Sequence, residues 1–172
     1  FSSIKCGIRY ENKLDYAIIV SESPCNASGV FTTNRITAAP VKICRERINN
    51  TIYAILVNST NANACTGTTG YQNSIRLSSD IAEKLHVPGN SVLVASTGII
   101  GRQLPVDKMI AGHKQLVNDL NTANGHSVAE AIMTTDTISK EAAARFTCNN
   151  RTYSVAGIAK GSGMISPDMA TL

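Results

Sequence analysis

Thr171 is the residue of this sequence best placed for covalent chemistry. It follows Ala170 in the stretch Lys160-Gly161-Ser162-Gly163-Met164-Ile165-Ser166-Pro167-Asp168-Met169-Ala170-Thr171-Leu172. A threonine hydroxyl is a weak nucleophile until a base stands beside it. One solution uses the threonine's own α-amino group as that base, which requires the preceding bond to be cut. An Ala-Thr bond in a loop of Gly, Ser and Pro suits such a cut. Taken alone, the same residues also describe an ordinary C-terminal tail. A second candidate is Thr97-Gly98, where a hydroxyl and an unhindered backbone N–H stand side by side, as an oxyanion requires. The plainer reading is that Gly98 permits a tight turn. Two further polar segments join these: the Asn-rich run 58–67 and the hydroxyl-rich run Thr134-Thr135-Asp136-Thr137. Neither G-x-x-x-x-G-K-[ST] nor G-x-G-x-x-G occurs, so a phosphate-cradling loop has little support.

Each polar segment follows an element that can hold it in place. Asp15–Val20 and Gly29–Asn34 read as short β-branched strands around a turn at Ser23–Asn26. Pro40 opens a helix running from Val41 to about Arg47, where its missing N–H does no harm. Thr51–Val57 is almost wholly apolar, as expected of a strand buried on both faces. It empties into 58–67, whose Asn and Ser side chains can hold turns. Gly70–His86 reads as a helix with Ile75, Ile81, Ala82 and Leu85 on one face. Ser91–Ala95 is a second buried strand, ending at Thr97-Gly98. Leu104-Pro105 starts a helix to about Leu120. His113 lies on its apolar stripe with Met109, Ile110, Leu116, Val117 and Leu120, which makes it a packed histidine rather than a catalytic one. Ser127 is expected to cap a short helix, Val128–Met133. Glu141–Cys148 and Thr152–Ala159 flank Asn149-Asn150-Arg151 as a hairpin that leads into the Lys160 loop. The segments 58–67, 96–101, 134–137 and 160–171 are expected to converge on one cleft.

Composition bounds the reading. The 172 residues support one domain, or one chain of a larger assembly. A hydrophobic content of 43% is enough for a core. No apolar run reaches the length of a membrane span, and Phe1-Ser2-Ser3-Ile4-Lys5 is not a signal peptide. The first residue is not Met, so a processed chain or a fragment is expected. A net charge of +4 with 5% aromatics does not support a nucleic-acid surface. The five cysteines are widely spaced and form no C-x-x-C, which fits free thiols in a reducing, cytoplasmic setting. The three histidines show no ligand spacing, so no metal site is expected.

Taken together, the segments resemble the ornithine acetyltransferases, the bifunctional ArgJ enzymes of arginine biosynthesis. The resemblance rests on Gly29–Asn34, Ala38–Val41, Asn61–Gly67, Ser96–Gly98, Ala131–Thr137 and Ala159–Met164 with Met169–Thr171, in that order along nearly the whole chain. It implies a compact α/β unit of mixed strands and helices, of the self-processing N-terminal-nucleophile type. Residues 1–170 would be the family's α chain and 171–172 the start of its β chain. The cut would fall between Ala170 and Thr171, with Thr171 as nucleophile, Thr97 and Gly98 as oxyanion hole, and Thr134, Lys160 and Thr171 as substrate-binding residues. The reaction implied is ping-pong transfer of acetyl from N2-acetylornithine to glutamate, without a cofactor; some members also take acetyl from acetyl-CoA. The partner implied is the β chain of the same precursor, in an α2β2 heterotetramer.

One position departs from the family. Thr60 stands in Asn58-Ser59-Thr60-Asn61 where glycine is usual, and a β-branched residue resists positive φ. Either the loop does not need that conformation or its geometry differs. Two other readings remain beside the acetyltransferase. One is an amidase or peptidase with the same self-generated nucleophile and water as acceptor. The other is a small-molecule binding domain without cleavage. Thr134 and Lys160 favour the transferase.

Overall fold

Two apolar runs, one helix between them and a right-handed crossover rule set the centre of the fold. In a computed structural model, which describes residues 1–162, Ile52–Asn58 (β3) and Val92–Ser96 (β4) pair in parallel, joined by the helix Gly67–Leu85 (α2). Tyr16–Cys25 (β2) lies antiparallel to β3, and Ser2–Ile4 (β1) lies antiparallel to β2. The four-stranded sheet has the order β1-β2-β3-β4. The helices Ala39–Arg47 (α1) and Val106–Asn118 (α3) complete a layer with α2 on one face, and Gly125–Ala131 (α4) packs on the other. Lys140–Cys148 (β5) and Arg151–Ala159 (β6) form a separate two-stranded sheet.

Strand alternation divides the apolar residues between two cores. Tyr16, Ile18, Ala54, Leu56, Val92 and Val94 point to the three-helix layer, where they meet Ile43, Leu77, Ile81, Met109 and Leu116. Each fully buried side chain of this size contributes about 1.5–3 kcal/mol. Ala17 points the other way, to Val128 and Ala131 of α4. The expectation that β3 is buried on both faces is therefore half met. Ile52, Ala54, Leu56 and Asn58 are buried, but Ile55 is 37% exposed because α4 covers only the β1–β2 side.

Helix ends follow their sequence signals with small shifts. Pro40 sits in the first turn of α1, which begins at Ala39. α2 begins earlier than expected, at Gly67. It ends with His86 in the left-handed conformation, where the Val87 N–H donates to the Ala82 carbonyl. Ser127 is not a cap. It lies inside α4, its hydroxyl donates to the Asn124 carbonyl, and the helix stops at Ala131 rather than Met133.

The strand expected at Gly29–Asn34 is absent. β2 instead runs on to Cys25, through the expected turn, with a register irregularity between Val20 and Cys25 that accommodates Pro24. Gly29–Asn34 has the propensity of a strand but pairs with none, and it cannot join β2, since β1 and β3 already flank that strand. Phe31 is held instead under the Arg45 guanidinium. The hairpin forms as expected. Asn149 and Asn150 both take positive φ, as a two-residue loop joining twisted strands demands.

His113 is fully buried, as the apolar stripe implied. Its Nδ1–H donates to Asp80 Oδ2 at 2.5 Å, so Nε2 accepts from the Tyr16 hydroxyl at 2.7 Å. Burial pushes its pKa down, and the Asp80 carboxylate offsets only part of that.

Candidate functional site

The two loops that leave β3 and β4 are laced into one body. Asn58 Nδ2 donates to the Asn61 carbonyl at 2.9 Å, and its Oδ1 accepts from the Ser96 hydroxyl at 2.6 Å. The N–H groups of Thr97 and Ile99 donate to the carbonyls of Asn58 and Thr60, at 3.0 and 3.2 Å. Ala62 and Gly101 return bonds to Ile99 and Ala64. Asn63 Nδ2 reaches Gly70 and Ser74 of α2, at 3.0 and 2.7 Å. The asparagines singled out in the sequence thus serve mainly to brace these loops, because buried backbone groups need partners where no ladder continues.

This bracing holds Thr97 and Gly98 in fixed positions at the carboxyl end of the parallel pair, where open α/β sheets place their ligands. Both are half-buried. Among the described residues the Thr97 hydroxyl and the Gly98 N–H have no hydrogen-bond partner, although both neighbouring N–H groups do. Gly98 has φ +138°, and a Cβ there would stand 2.2 Å from the Thr60 carbonyl carbon. No other residue fits without moving the Thr60–Asn61 backbone.

The departure at Thr60 resolves in favour of the demanding conformation. Thr60 adopts φ 71°, the left-handed region, and is 6% exposed. Its hydroxyl, like that of Ser59, has no partner among the described residues. Asn63, Cys65, Gly67 and Gly101 also take positive φ, so the unusual backbone is concentrated at this one end of the sheet. Strain of this kind collects at functional sites and persists only where the surroundings enforce it. Beside Thr60 and Asn61 a cavity of about 160 Å³ opens, with Arg9 and Arg102 at its wall; neither Thr97 nor Lys160 lines it.

A second cluster gathers Thr134 and Lys160 around Asp136. The Asp136 side chain is 2% exposed. Oδ1 accepts from the Gly161 N–H at 2.6 Å and from Lys140 Nζ at 2.9 Å; Oδ2 accepts from the Thr134 N–H at 3.3 Å and faces Lys160 Nζ at 3.8 Å. Burial pushes this carboxyl up, but Lys140 and the two backbone donors prevail and hold it well below the usual carboxylate range. Lys160 Nζ also donates to the Gly161 carbonyl at 2.8 Å. A Cβ on Gly161 would meet Asp136 Oδ1 at 2.5 Å, so a side chain there would push the carboxylate aside. Asp136 therefore fixes the start of the loop that leads toward Thr171.

The structure thus joins 58–67 to 96–101, and 134–137 to 160–161. Among the described residues no hydrogen bond or ion pair links the two pairs, and most of the fourth segment of the expected cleft, 163–171, lies outside the described residues. Ala170 and Thr171, with Gly163–Met169, lie outside the described residues. Asp136 was not singled out in the sequence. Its role depends on donors at positions 140 and 161, and only the hydroxyl-rich run around it gave a signal. Among the described residues no cluster of His, Cys, Asp and Glu could hold a metal, and no helix is long and apolar enough to cross a membrane.

Fold and site define a class: an α/β unit with braced polar loops at the ends of a parallel strand pair. Its particular family follows from comparison with known proteins. The ArgJ family model matches residues 1–172, and the chain belongs to that family. It is 44% identical over 170 residues to the arginine biosynthesis bifunctional protein ArgJ 1 of Clostridium acetobutylicum, covering 98% of this chain and 42% of that protein. Against the ArgJ protein of Thermotoga neapolitana the identity is 46% over 175 residues, covering 100% and 44%. The chain thus spans less than half the length of these relatives. The crystal structure of ArgJ from Bacillus halodurans superposes with a TM-score of 0.89 at 38% identity, covering 97% of this chain and 88% of that one. Ornithine acetyltransferase of Mycobacterium tuberculosis, solved with ornithine, gives 0.87 at 34% identity, covering 97% and 90%.

Proposed function

We propose that this chain is the α-chain portion of a self-cleaving acetyltransferase of arginine biosynthesis, moving acetyl from N2-acetylornithine to glutamate. The observation that carries the reading is a difference in length. The chain covers 88–90% of the solved ArgJ and ornithine acetyltransferase chains but only 42–44% of the curated ArgJ proteins. A family whose crystal chains are about this long, and whose encoded proteins are more than twice as long, is well accounted for by a cut near position 170.

On this reading the Thr171 hydroxyl attacks the Ala170 carbonyl carbon, an N-to-O acyl shift gives an ester, and water hydrolyses it. Thr171 is left with a free amine. An α-amino group has a reference pKa of about 7.7–8.0, so part of it is neutral near pH 7 and can accept the hydroxyl proton. Thr171 then takes acetyl from N2-acetylornithine, and ornithine leaves. The amine of glutamate attacks the acetyl-threonine ester, giving N-acetylglutamate and restoring the hydroxyl. Thr97 Oγ1–H and Gly98 N–H donate to the oxyanion in each step. Lys160, held by Asp136 and beside Thr134, offers a cation to the carboxylate that both substrates carry. The reaction needs no cofactor; acetyl-CoA would serve as an alternative donor substrate. The β chain beginning at Thr171 would complete an α2β2 heterotetramer in the cytoplasm.

Mass spectrometry of the expressed full-length protein tests the reading. A second chain beginning at Thr171 is expected, and Thr171→Ala should abolish it together with acetyl transfer. An uncut protein with full transfer activity would overturn the mechanism.

A further inference from the structure

Asp136 faces two lysines on unequal terms. Lys140 Nζ donates to Asp136 Oδ1 at 2.9 Å and to the Ile138 carbonyl at 3.3 Å. Lys160 Nζ stands 3.8 Å from Oδ2, beyond hydrogen-bond reach, and its one direct bond among the described residues is to the Gly161 carbonyl at 2.8 Å. The carboxylate is well occupied without it. Oδ1 also takes the Gly161 N–H, and Oδ2 takes the Thr134 N–H. The Lys140 ammonium lies against the same turn, 3.2 Å from where a Gly161 Cβ would stand. Glu141, the next residue of β5, turns to His126 of α4 instead. Among the described residues Asp136 is therefore the only carboxylate that pairs with either lysine. Two ammonium groups against one carboxylate leave one positive charge over. Because the Asp136 side chain is buried, its pull on each cation is stronger than at a solvated surface. Which lysine holds the carboxylate then decides which one keeps its charge free.

We propose that Lys140 is a positioning residue for Lys160: by occupying the Asp136 carboxylate, it leaves the Lys160 ammonium open to the carboxylate of a substrate. The inference deepens the proposed function and rests on it, since Lys160 is there the cation that meets N2-acetylornithine and glutamate. A lysine drawn fully onto a buried aspartate is closed to substrate, because a charge-assisted hydrogen bond is roughly twice as strong as a neutral one. Lys160 is close to that state. It needs only to move from 3.8 Å to the 2.9 Å that Lys140 already has. With Lys140 in place, Asp136 orients Lys160 at a distance. Without it, the carboxylate faces a single cation and clamps it. Lys140 touches no reacting atom on this reading and acts only through Asp136.

Steady-state kinetics of the full-length protein test it, with Lys140→Met, Lys140→Gln, Lys140→Arg, Asp136→Asn and the double variant Lys140→Met, Asp136→Asn. Lys140→Met and Lys140→Gln should each raise KM for N2-acetylornithine roughly 10-fold, as when one charge-assisted hydrogen bond is lost, with kcat changed by less than about 3-fold. Lys140→Arg keeps the charge and should keep KM near that of the unsubstituted protein. The double variant should have a KM no higher than Asp136→Asn alone, because Lys140 has no route to Lys160 once the carboxylate is gone. An unchanged KM in both neutral variants, a loss confined to kcat, or losses that add in the double variant would overturn the inference. So would loss of folding in both neutral variants, read by thermal unfolding, since Lys140 would then be a structural residue. Failure of the underlying reading looks different: the unsubstituted protein would not transfer acetyl from N2-acetylornithine, which overturns the proposed function and this inference with it.

Discussion

Replacing Thr60 tests whether the strained loop is enforced by its surroundings. Thr60 sits at φ 71° where an L side chain costs about 1–2 kcal/mol. Thr60→Ala removes the unpartnered hydroxyl and the γ-methyl but keeps the Cβ, and so keeps the backbone cost. Thr60→Gly removes the Cβ too. The difference between the two variants therefore isolates the left-handed backbone, with hydroxyl and methyl effects cancelled. Against the relief of about 1–2 kcal/mol stands the extra freedom of glycine in the unfolded chain, about 0.4–1 kcal/mol. The glycine variant should be the more stable of the two by roughly 0.5–1 kcal/mol. For a domain of this size that is a rise of about 1–4 °C in Tm. Thermal and denaturant unfolding of both variants in the same full-length background reads it directly. An alanine variant as stable as the glycine one, or more so, would refute the claim that the lacing to Ile99 and Asn58 forces this conformation.

Three further outcomes are expected. Thr97→Ala in the full-length protein should lower the rate of acyl transfer by roughly 10²–10³, the effect of losing one oxyanion donor; unchanged turnover would leave Thr97 a turn residue. Asp136→Asn weakens the hold on Lys160 and the Gly161 N–H and should lower kcat/KM by roughly 10-fold or more, mainly through KM, since charge-assisted hydrogen bonds contribute about 1.5–3 kcal/mol. Gly161→Ala should do the same by pushing Asp136 aside, and a pure kcat effect in either variant would count against a positioning role. The contribution of His113 to stability should fall as pH drops below about 6.5, because His113 has a folded pKa below its unfolded one. The unfolded chain then binds the proton that the native core refuses, at up to about 1.4 kcal/mol per pH unit. His113→Gln, which can still accept from the Tyr16 hydroxyl, should flatten that slope in urea titrations at pH 7 and 5.5.

What the sequence made legible is what local pattern dictates. β3, α2 and β4 announce themselves through apolar runs and a 3.6-residue stripe, and the hairpin through Asn149-Asn150. Thr97-Gly98 could be placed because it follows such a run. What stayed hidden depends on partners distant in sequence. Ser2–Ile4 has no strand pattern of its own and becomes β1 only because β2 offers it an edge. Gly29–Asn34 has the pattern but pairs with no strand. Asp15 reads as a strand residue, yet its buried carboxylate accepts from the N–H groups of Cys6 and Ile8 at 2.8 and 2.6 Å and shapes the loop between β1 and β2. Asp136 acts through residues on either side of a hairpin that separates them by 25 positions.

The two clusters differ in how they are held, and the difference bears on the proposed reaction. Thr97 and Gly98 are fixed by strands, by backbone bonds to 58–64 and by the close approach of Gly98 to the Thr60 backbone. In the proposed reaction these two would be preformed donors, which need no rearrangement when charge develops on the attacked carbonyl. The Lys160 end is held differently, through one buried carboxylate at the base of a hairpin whose outer face is uncovered among the described residues. Its position therefore depends on the integrity of the hairpin, whose Phe146 and Tyr153 rings stack on each other. Loss of the stacked pair should accordingly displace Lys160 while leaving Thr97 and Gly98 in place. A Phe146→Ser, Tyr153→Ser double variant would then raise KM and slow cleavage, without the loss of stability in the β3–α2–β4 core that a misfolded chain would show by hydrogen exchange. Equal loss of amide protection in both regions would refute this division of the site.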